Sequence, residues 1–387
     1  MIQLNQRPIR VMRIIARMNI GGPAVQVAGL MRRFDSVKFN QQLYTGYCGA
    51  DEADYLEMVA SDVEAIRITG LGRRVSFRGD VKAFTALVKA IRDFKPDVIH
   101  THTAKAGFLG RLASIISLHP SILVHTYHGH LLNGYFGKFQ CSLVILAEKL
   151  LGLFTDELLA VGNKVRKDLQ KAGIGKVGSF GLMPPGLEIA ILPNKSESMN
   201  ALGLNPLKLQ CGYIGRVTQI KRPDRFLDIV SEIKSRGFEI DFFIAGDGEL
   251  LDYCKERIDR EKLPVKILGW QPNIEKILAV SDLIILTSDN EGTPLSLIQA
   301  GMAGIPVVAT NVGSVSEVVL DGVTGIVCPL DVMSIANAIE KLAVDRALRN
   351  QLGYEARKFT LANFGVSRLA HDHEELYQRL LFNRAKF

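Results

Sequence analysis

A chain of 387 residues is too long for one ordinary hydrophobic core, and 47% hydrophobic with 22% charged residues excludes a disordered or fibrous protein. The five cysteines (Cys48, Cys141, Cys211, Cys254, Cys328) are scattered with no CxxC pair, which argues against a disulfide framework and a zinc site and fits a reducing cytoplasm. The net charge of +7 is uneven: residues 1–185 hold 24 Lys and Arg against 14 Asp and Glu, leaving 23 against 26 for the remainder.

The first apolar run, Ile9-Arg10-Val11-Met12-Arg13-Ile14-Ile15-Ala16-Arg17, is broken by arginines, so it reads as a strand rather than a signal-peptide core. No window reaches 18 uninterrupted apolar residues, and no bilayer-spanning helix is expected. Short apolar runs recur at Val11–Ile15, Gln42–Tyr47, Val63–Ile68, Val98–His100, Ile122–Thr126 and Leu158–Val161, with room between them for helices such as Val81–Phe94. That spacing predicts a doubly wound parallel sheet. A stretch rich in Gly, Pro, Asn and Ser, from Gly173 to Pro206, then reads as a linker. A second series follows at Leu209–Ile214, Ile240–Ala245, Val265–Leu268, Leu283–Thr287, Pro306–Thr310 and Gly325–Val327, with helices such as Arg222–Arg236 between. Two Rossmann-like α/β domains are predicted, residues 1–185 and 207–365, joined by a linker at 186–206. Leu369, Leu376, Tyr377, Leu380 and Leu381 recur at helical spacing, so a helix over 366–387 is expected to join the first domain.

In open parallel sheets ligands bind beyond the carboxyl ends of the strands, and the chemically interesting residues cluster there. The buried run Leu283–Thr287 leads through a polar turn into a helix beginning near Pro294, with Thr293 as the expected cap. Free amides near Gly292, Thr293 and Leu295, at the positive end of the helix dipole, suit a diphosphate. Glu291 can accept hydrogen bonds from sugar hydroxyls, and Gln299 can reach a ribose diol. An ordinary strand-to-helix corner is the competing reading. After the first strand, Gly21 and Gly22 open a helix and let backbone approach a ligand, although a simple tight turn explains them too. His100, His102, His128 and His130 stand at strand ends with no carboxylates at ligand spacing, so no metal site is expected.

The run Glu291 to Gly313, followed by Glu317-Val318-Val319 and Asp321-Gly322-Val323-Thr324-Gly325, resembles the donor-binding half of retaining glycosyltransferases of family 4, and the resemblance spans nearly the whole chain. It implies the GT-B fold, two doubly wound domains facing a central cleft, and a metal-independent hexosyl transfer from an NDP-sugar, UDP-linked, with no other cofactor. The first of the family's two donor glutamates is kept as Glu291. The second is replaced by Gln299, which keeps a hydrogen-bond acceptor but carries no charge. By the same resemblance, Gly215, Arg216 and Lys221 form the diphosphate grip, Gly21 and Gly22 lie over the diphosphate and acceptor, and His128 is the active-site histidine. His100, His102 and His130 are taken as structural or as supporting the site from behind.

The implied setting is cell-surface polysaccharide or glycolipid assembly at the cytoplasmic face of the membrane. Sugar or lipid-linked acceptors are the expected partners, and nothing resembles a nucleic-acid module. The basic half, and Leu131–Phe139 leading into the greasy stretch Leu143–Phe154, fit peripheral contact with an anionic membrane; core packing of that stretch is the alternative. Two other functions share the donor grip: a nucleotide-sugar epimerase, and a nucleotide-sugar-binding protein without catalysis.

Overall fold

The computed structural model describes residues 7–50, 52–129, 138–175 and 180–385, with the backbone alone for 138–141. These fall into two compact units, Met1–Gly186 with Val366–Phe387, and Leu187–Gly365.

The first unit follows the order β1 (Ile9–Arg17), α1 (Gly22–Arg33), β2 (Phe39–Gly46), α2 (Tyr55–Met58), β3 (Ile66–Arg67), α3 (Phe77–Phe94), β4 (Val98–His102), α4 (Ala104–Ser117), β5 (Ile122–Tyr127), α5 (Lys138–Gly152), β6 (Glu157–Ala160), α6 (Asn163–Lys171) and β7 (Phe180–Leu182). All strands are parallel, in the order β3-β2-β1-β4-β5-β6-β7. The central strands are buried throughout their length because helices cover both faces, which is why they read as apolar runs. Met12, Ile14 and Ile99 pack under Leu87 and Leu109 of α3 and α4, while Val11 and Val98 pack under Leu30 of α1.

Arg13, which interrupts the apolar run, is fully buried in β1. Its Nε donates to Gln41 Oε1 at 3.0 Å and its Nη1 to Tyr377 Oη at 3.0 Å, so the charge has polar partners inside the core.

The second unit follows α7 (Lys195–Leu202), β8 (Leu209–Ile214), a 3-10 turn (Gln219–Lys221), α8 (Pro223–Ser235), β9 (Ile240–Ala245), α9 (Leu251–Glu261), β10 (Val265–Gly269), α10 (Ile274–Val280), β11 (Leu283–Leu286), α11 (Leu295–Met302), β12 (Val307–Thr310), α12 (Val315–Val318), β13 (Gly325–Cys328), α13 (Val332–Val344) and α14 (Arg346–Phe364). Its parallel sheet runs β10-β9-β8-β11-β12-β13. The chain then returns to the first unit as α15 (Val366–Arg384), whose Leu369, Ala370, Leu376 and Tyr377 pack on Val11, Leu30 and Phe34.

Structure within Gly173–Pro206 differs from the linker expectation. β7 extends the first sheet from Leu158 of β6, and α7 belongs to the second unit. Asn194 caps α7 by accepting from Glu197 N at 3.2 Å, so an Asn-Lys-Ser turn signal marks a helix start here. Among the described residues no helix is long and apolar enough to cross a membrane.

Candidate active site at the two switch points

In the second sheet the strand order reverses between β8 and β11, which are paired neighbours. Connections leaving such a pair diverge to opposite sides and open a crevice at the carboxyl ends. Arg216 and Lys221 follow β8, and Glu291 follows β11. Lys221 Nζ donates to Glu291 Oε1 at 2.5 Å, and Ser288 Oγ donates to the same oxygen at 2.5 Å. Glu291 is buried, so these two donors supply what water would otherwise give its carboxylate. Arg216 is exposed and makes no ion pair among the described residues, which leaves its guanidinium open to an anion.

The loop after β8 is bound to the end of β11. Thr287 Oγ1 donates to the carbonyls of Lys221 and Arg222, each at 3.0 Å, and Asp289 N donates to Ile220 O at 2.9 Å. Arg225 adds Nη1 to Thr287 O at 2.6 Å and Nη2 to Asp289 Oδ1 at 2.7 Å. On the other side Thr310 Oγ1 donates to Ser288 O at 2.7 Å, and Ser314 N to Glu291 O at 3.3 Å. Gly313 sits at φ +55, and a Cβ there would collide with the Glu291 carbonyl. The position of Glu291 is thus fixed from several strands at once.

The segment Gly292-Thr293-Pro294 leads into α11. Pro294 is the N-cap, at φ −74 and ψ 105, and no side chain caps the helix, which corrects the expected start with Thr293 as cap. Extended backbone at Pro294 delays the first turn by one residue. The first amides of α11 therefore have no partner within the helix and carry its positive dipole end. Leu295 and Gln299, one turn apart, are partly exposed on one face. Gly215, which opens the loop after β8, sits at φ +152 with open space where a Cβ would stand.

The first sheet reverses between β1 and β4. Gly21, in extended backbone, is the N-cap of α1, and Gly22 is its first residue; no side chain caps it. His100 is fully buried, with Nδ1 2.5 Å from Tyr377 Oη and Nε2 2.7 Å from Thr126 Oγ1, so both ring nitrogens are used inside the core. His128, directly after β5, is half-buried; its Nε2 lies 3.0 Å from His102 Nδ1, and its Nδ1 is covered without a partner among the described residues. Burial lowers its pKa to about 4, so the ring is neutral at pH 7. His130 and Leu131–Gly137 lie outside the described residues. Among those described, no group of three or more His, Cys, Asp or Glu is arranged to hold a metal ion.

Residues 20–186 match the model of Glycosyltransferase Family 4, and residues 194–359 that of Glycosyl transferases group 1. The chain belongs to the family 4 glycosyltransferases. Its two Rossmann-like units are those of the GT-B fold. This family 4 chain is 28% identical to the UDP-Gal:alpha-D-GlcNAc-diphosphoundecaprenol alpha-1,3-galactosyltransferase of Escherichia coli, over 86% of its own length and 87% of that protein. It is 25% identical to the capsular polysaccharide biosynthesis glycosyltransferase CapM of Staphylococcus aureus, over 85% of its own length and 89% of that protein. Among solved structures it is similar to Alr3699/HepE of Anabaena in complex with UDP-glucose, with a TM-score of 0.79 and 20% identity, covering 96% of this chain and 100% of that one.

Sequence reasoning had no signal for Ser288 or Thr287, since a hydroxyl at a strand end is common. It also missed the partnership of His102 with His128, which are 26 positions apart and meet only because β4 and β5 pair in parallel register.

Proposed function

We propose that the protein transfers a hexosyl group from a UDP-linked donor to a hydroxyl acceptor, with retention at the anomeric carbon, in the assembly of a cell-surface polysaccharide or glycolipid. The observation that carries this reading is the charge arrangement at the second switch point, where Lys221 pairs with Glu291 shortly before the uncapped start of α11 and the exposed Arg216 stands on the same loop as Lys221. Arg216, Lys221 and the α11 amides hold the diphosphate and neutralise it as the glycosidic bond breaks. Glu291 and His128 contact the transferred sugar, Gln299 the ribose, and Gly21 and Gly22 the acceptor side. The Anabaena structure holds UDP-glucose, and the E. coli relative is named for a UDP-sugar donor and a lipid-linked acceptor; both support a UDP-sugar.

The test is incubation with UDP-, GDP- and ADP-sugars and a panel of sugar and polyprenyl-diphosphate acceptors, reading the anomer of the product by NMR. An α-linked product from an α-linked UDP-sugar, formed equally with and without EDTA, is expected. Conversion of the donor to an epimer without acceptor marks an epimerase instead, and donor binding with no turnover across the panel marks a binding protein.

The acceptor's lipid brings the protein to an anionic membrane. Val75 and Phe77, each 85% exposed, stand among the exposed Arg73, Arg74, Arg78 and Lys82. Lys105 Nζ bonds the carbonyls of Gly70 and Arg74 and so fixes this loop to α4. Apolar side chains ringed by cations suit an interface with anionic headgroups. Leu143, Leu146, Leu150 and Leu153 of α5 and its following turn are exposed as well, while Glu148 and Leu151 are buried, so one side of the stretch offers apolar side chains to a membrane. Sedimentation with phosphatidylglycerol vesicles but not phosphatidylcholine vesicles, weakened in Phe77→Asp, is expected.

A further inference from the structure

Two histidines meet ring to ring at the carboxyl edge of the first sheet. His102 ends β4, His128 follows β5, and His102 Nδ1 lies 3.0 Å from His128 Nε2, with ring planes 37° apart. The remaining nitrogens, His102 Nε2 and His128 Nδ1, are both buried without a partner among the described residues. Burial holds the His102 pKa well below its ordinary value, so it is neutral like His128.

A neutral imidazole carries one N–H and one lone pair, so a hydrogen bond between two such rings allows only two proton arrangements. If His102 Nδ1–H donates, the proton of His128 sits on Nδ1 and His102 keeps a bare Nε2. If His128 Nε2–H donates, the unmet N–H falls on His102 and the free nitrogen of His128 is a lone pair. Two observations separate them. His102 is 1% exposed whereas the His128 ring is partly exposed, and an unmet N–H costs less on the ring nearer the surface, even with Nδ1 itself covered. The buried Arg13 guanidinium also acts on His102 with its positive charge, and its Nη2 is itself a donor without an acceptor. That field favours a lone pair at His102 Nε2 over another N–H.

We infer that His102 is a positioning residue for His128: it donates Nδ1–H to His128 Nε2 and so locks His128 as the Nδ1–H tautomer, a hydrogen-bond donor for a substrate oxygen. The plane of His102 is held in turn. It stacks on His100 with centroids 4.2 Å apart, and His100 is fixed by Tyr377 of α15 and Thr126 of β5. The chain of contacts runs from α15 through two stacked rings to the free nitrogen of His128. A sugar hydroxyl or phosphate oxygen accepts from that N–H, whereas a bare nitrogen would repel a phosphate oxygen.

The inference rests on the proposed contact between His128 and substrate, and the experiment keeps the two apart. Ring 15N spectra of the full chain, with His128 assigned through His128→Gln, report which nitrogen bears the proton. Protonated Nδ1 and bare Nε2 are expected for His128 at pH 7. His102→Phe keeps an aromatic ring against His100 but has no donor, and is expected to leave His128 a mixture of tautomers and to lower kcat about tenfold or more with little change in donor KM. His102→Asn, whose amide N–H can donate, is expected to recover part of the rate. Protonated Nε2 on His128 in the unmodified protein overturns the inference, and so does an unchanged tautomer in His102→Phe. The unmodified spectrum decides even where His102→Phe fails to fold. Full activity in His128→Ala removes the substrate contact alone and leaves the tautomer measurement standing.

Discussion

Glu291 Oε1 receives two hydrogen bonds, one from a cation and one from a neutral hydroxyl, and the two have different consequences. In the proposed donor complex Lys221 has a second anion to serve, whereas Ser288 Oγ bonds no other group among the described residues. Ser288 is therefore the group that keeps Glu291 aimed while Lys221 is shared. Ser288→Ala is expected to lower kcat about tenfold, or ~1.4 kcal/mol in the barrier, with the melting temperature nearly unchanged. Lys221→Ala removes charge from the leaving diphosphate and is expected to cost about 100-fold or more in kcat. Steady-state rates on one UDP-sugar rank the two; a larger loss for Ser288→Ala would contradict the roles assigned. Gln299 differs in kind, because its amide offers one acceptor where a carboxylate offers two and a charge. Gln299→Glu is expected to tighten UDP binding about fivefold, roughly 1 kcal/mol, by titration calorimetry. Weaker binding would mean that Gln299 faces a phosphate rather than a diol.

At the scale of elements, the site is a junction of three loops that the sheet order brings together. The loops after β8, β11 and β12 are tied by Thr287, Asp289, Thr310 and Ser314, with Gly313 in a left-handed conformation where β12's loop crosses Glu291. Gly313→Ala meets both a backbone penalty of about 1–2 kcal/mol and a collision with the Glu291 carbonyl. It is expected to abolish donor-induced thermal stabilisation while the first unit keeps its native hydrogen-exchange protection. Retained stabilisation by UDP would show that the loop accommodates the methyl. The strands that build this junction were legible, because a parallel strand covered on both faces must be apolar along its length, as Leu283–Leu286 is. β7 was not, since three residues with Gly181 in the middle and Pro184 close behind carry no periodicity, and its pairing to β6 is a tertiary choice. Arg13 reads in the sequence as an interruption of the apolar run, yet it is core, because the groups that satisfy it, Gln41 and Tyr377, lie 28 and 364 positions away. The exposed Val75 and Phe77 went unnoticed for the converse reason: two apolar residues among four cations form no pattern until a helix start displays them.

At the scale of the whole molecule, histidine is distributed as unevenly as charge. All eight histidines lie outside Leu187–Gly365, and five of them, His100, His102, His125, His128 and His373, have pKa values lowered by burial in the first unit. His128 falls to about 4 and His373 to about 3. Between those values and the ordinary histidine value near 6.5, the unfolded state binds protons that the folded state refuses. Stability therefore declines as pH falls through that window, by up to about 1.4 kcal/mol per pH unit for each such ring, and recovers above it. The second unit has no histidine to contribute. Hydrogen exchange at pH 7 and pH 5 is thus expected to show opening of the first unit on acidification while the second keeps most of its protection. The steepness should lessen in His373→Gln, which removes one of the five rings without touching the substrate groups. Equal acid sensitivity of the two units would contradict this account. Because His102 and His128 belong to the same buried cluster, the acid limb of activity should track the loss of the first unit, with donor binding by the second unit persisting to lower pH.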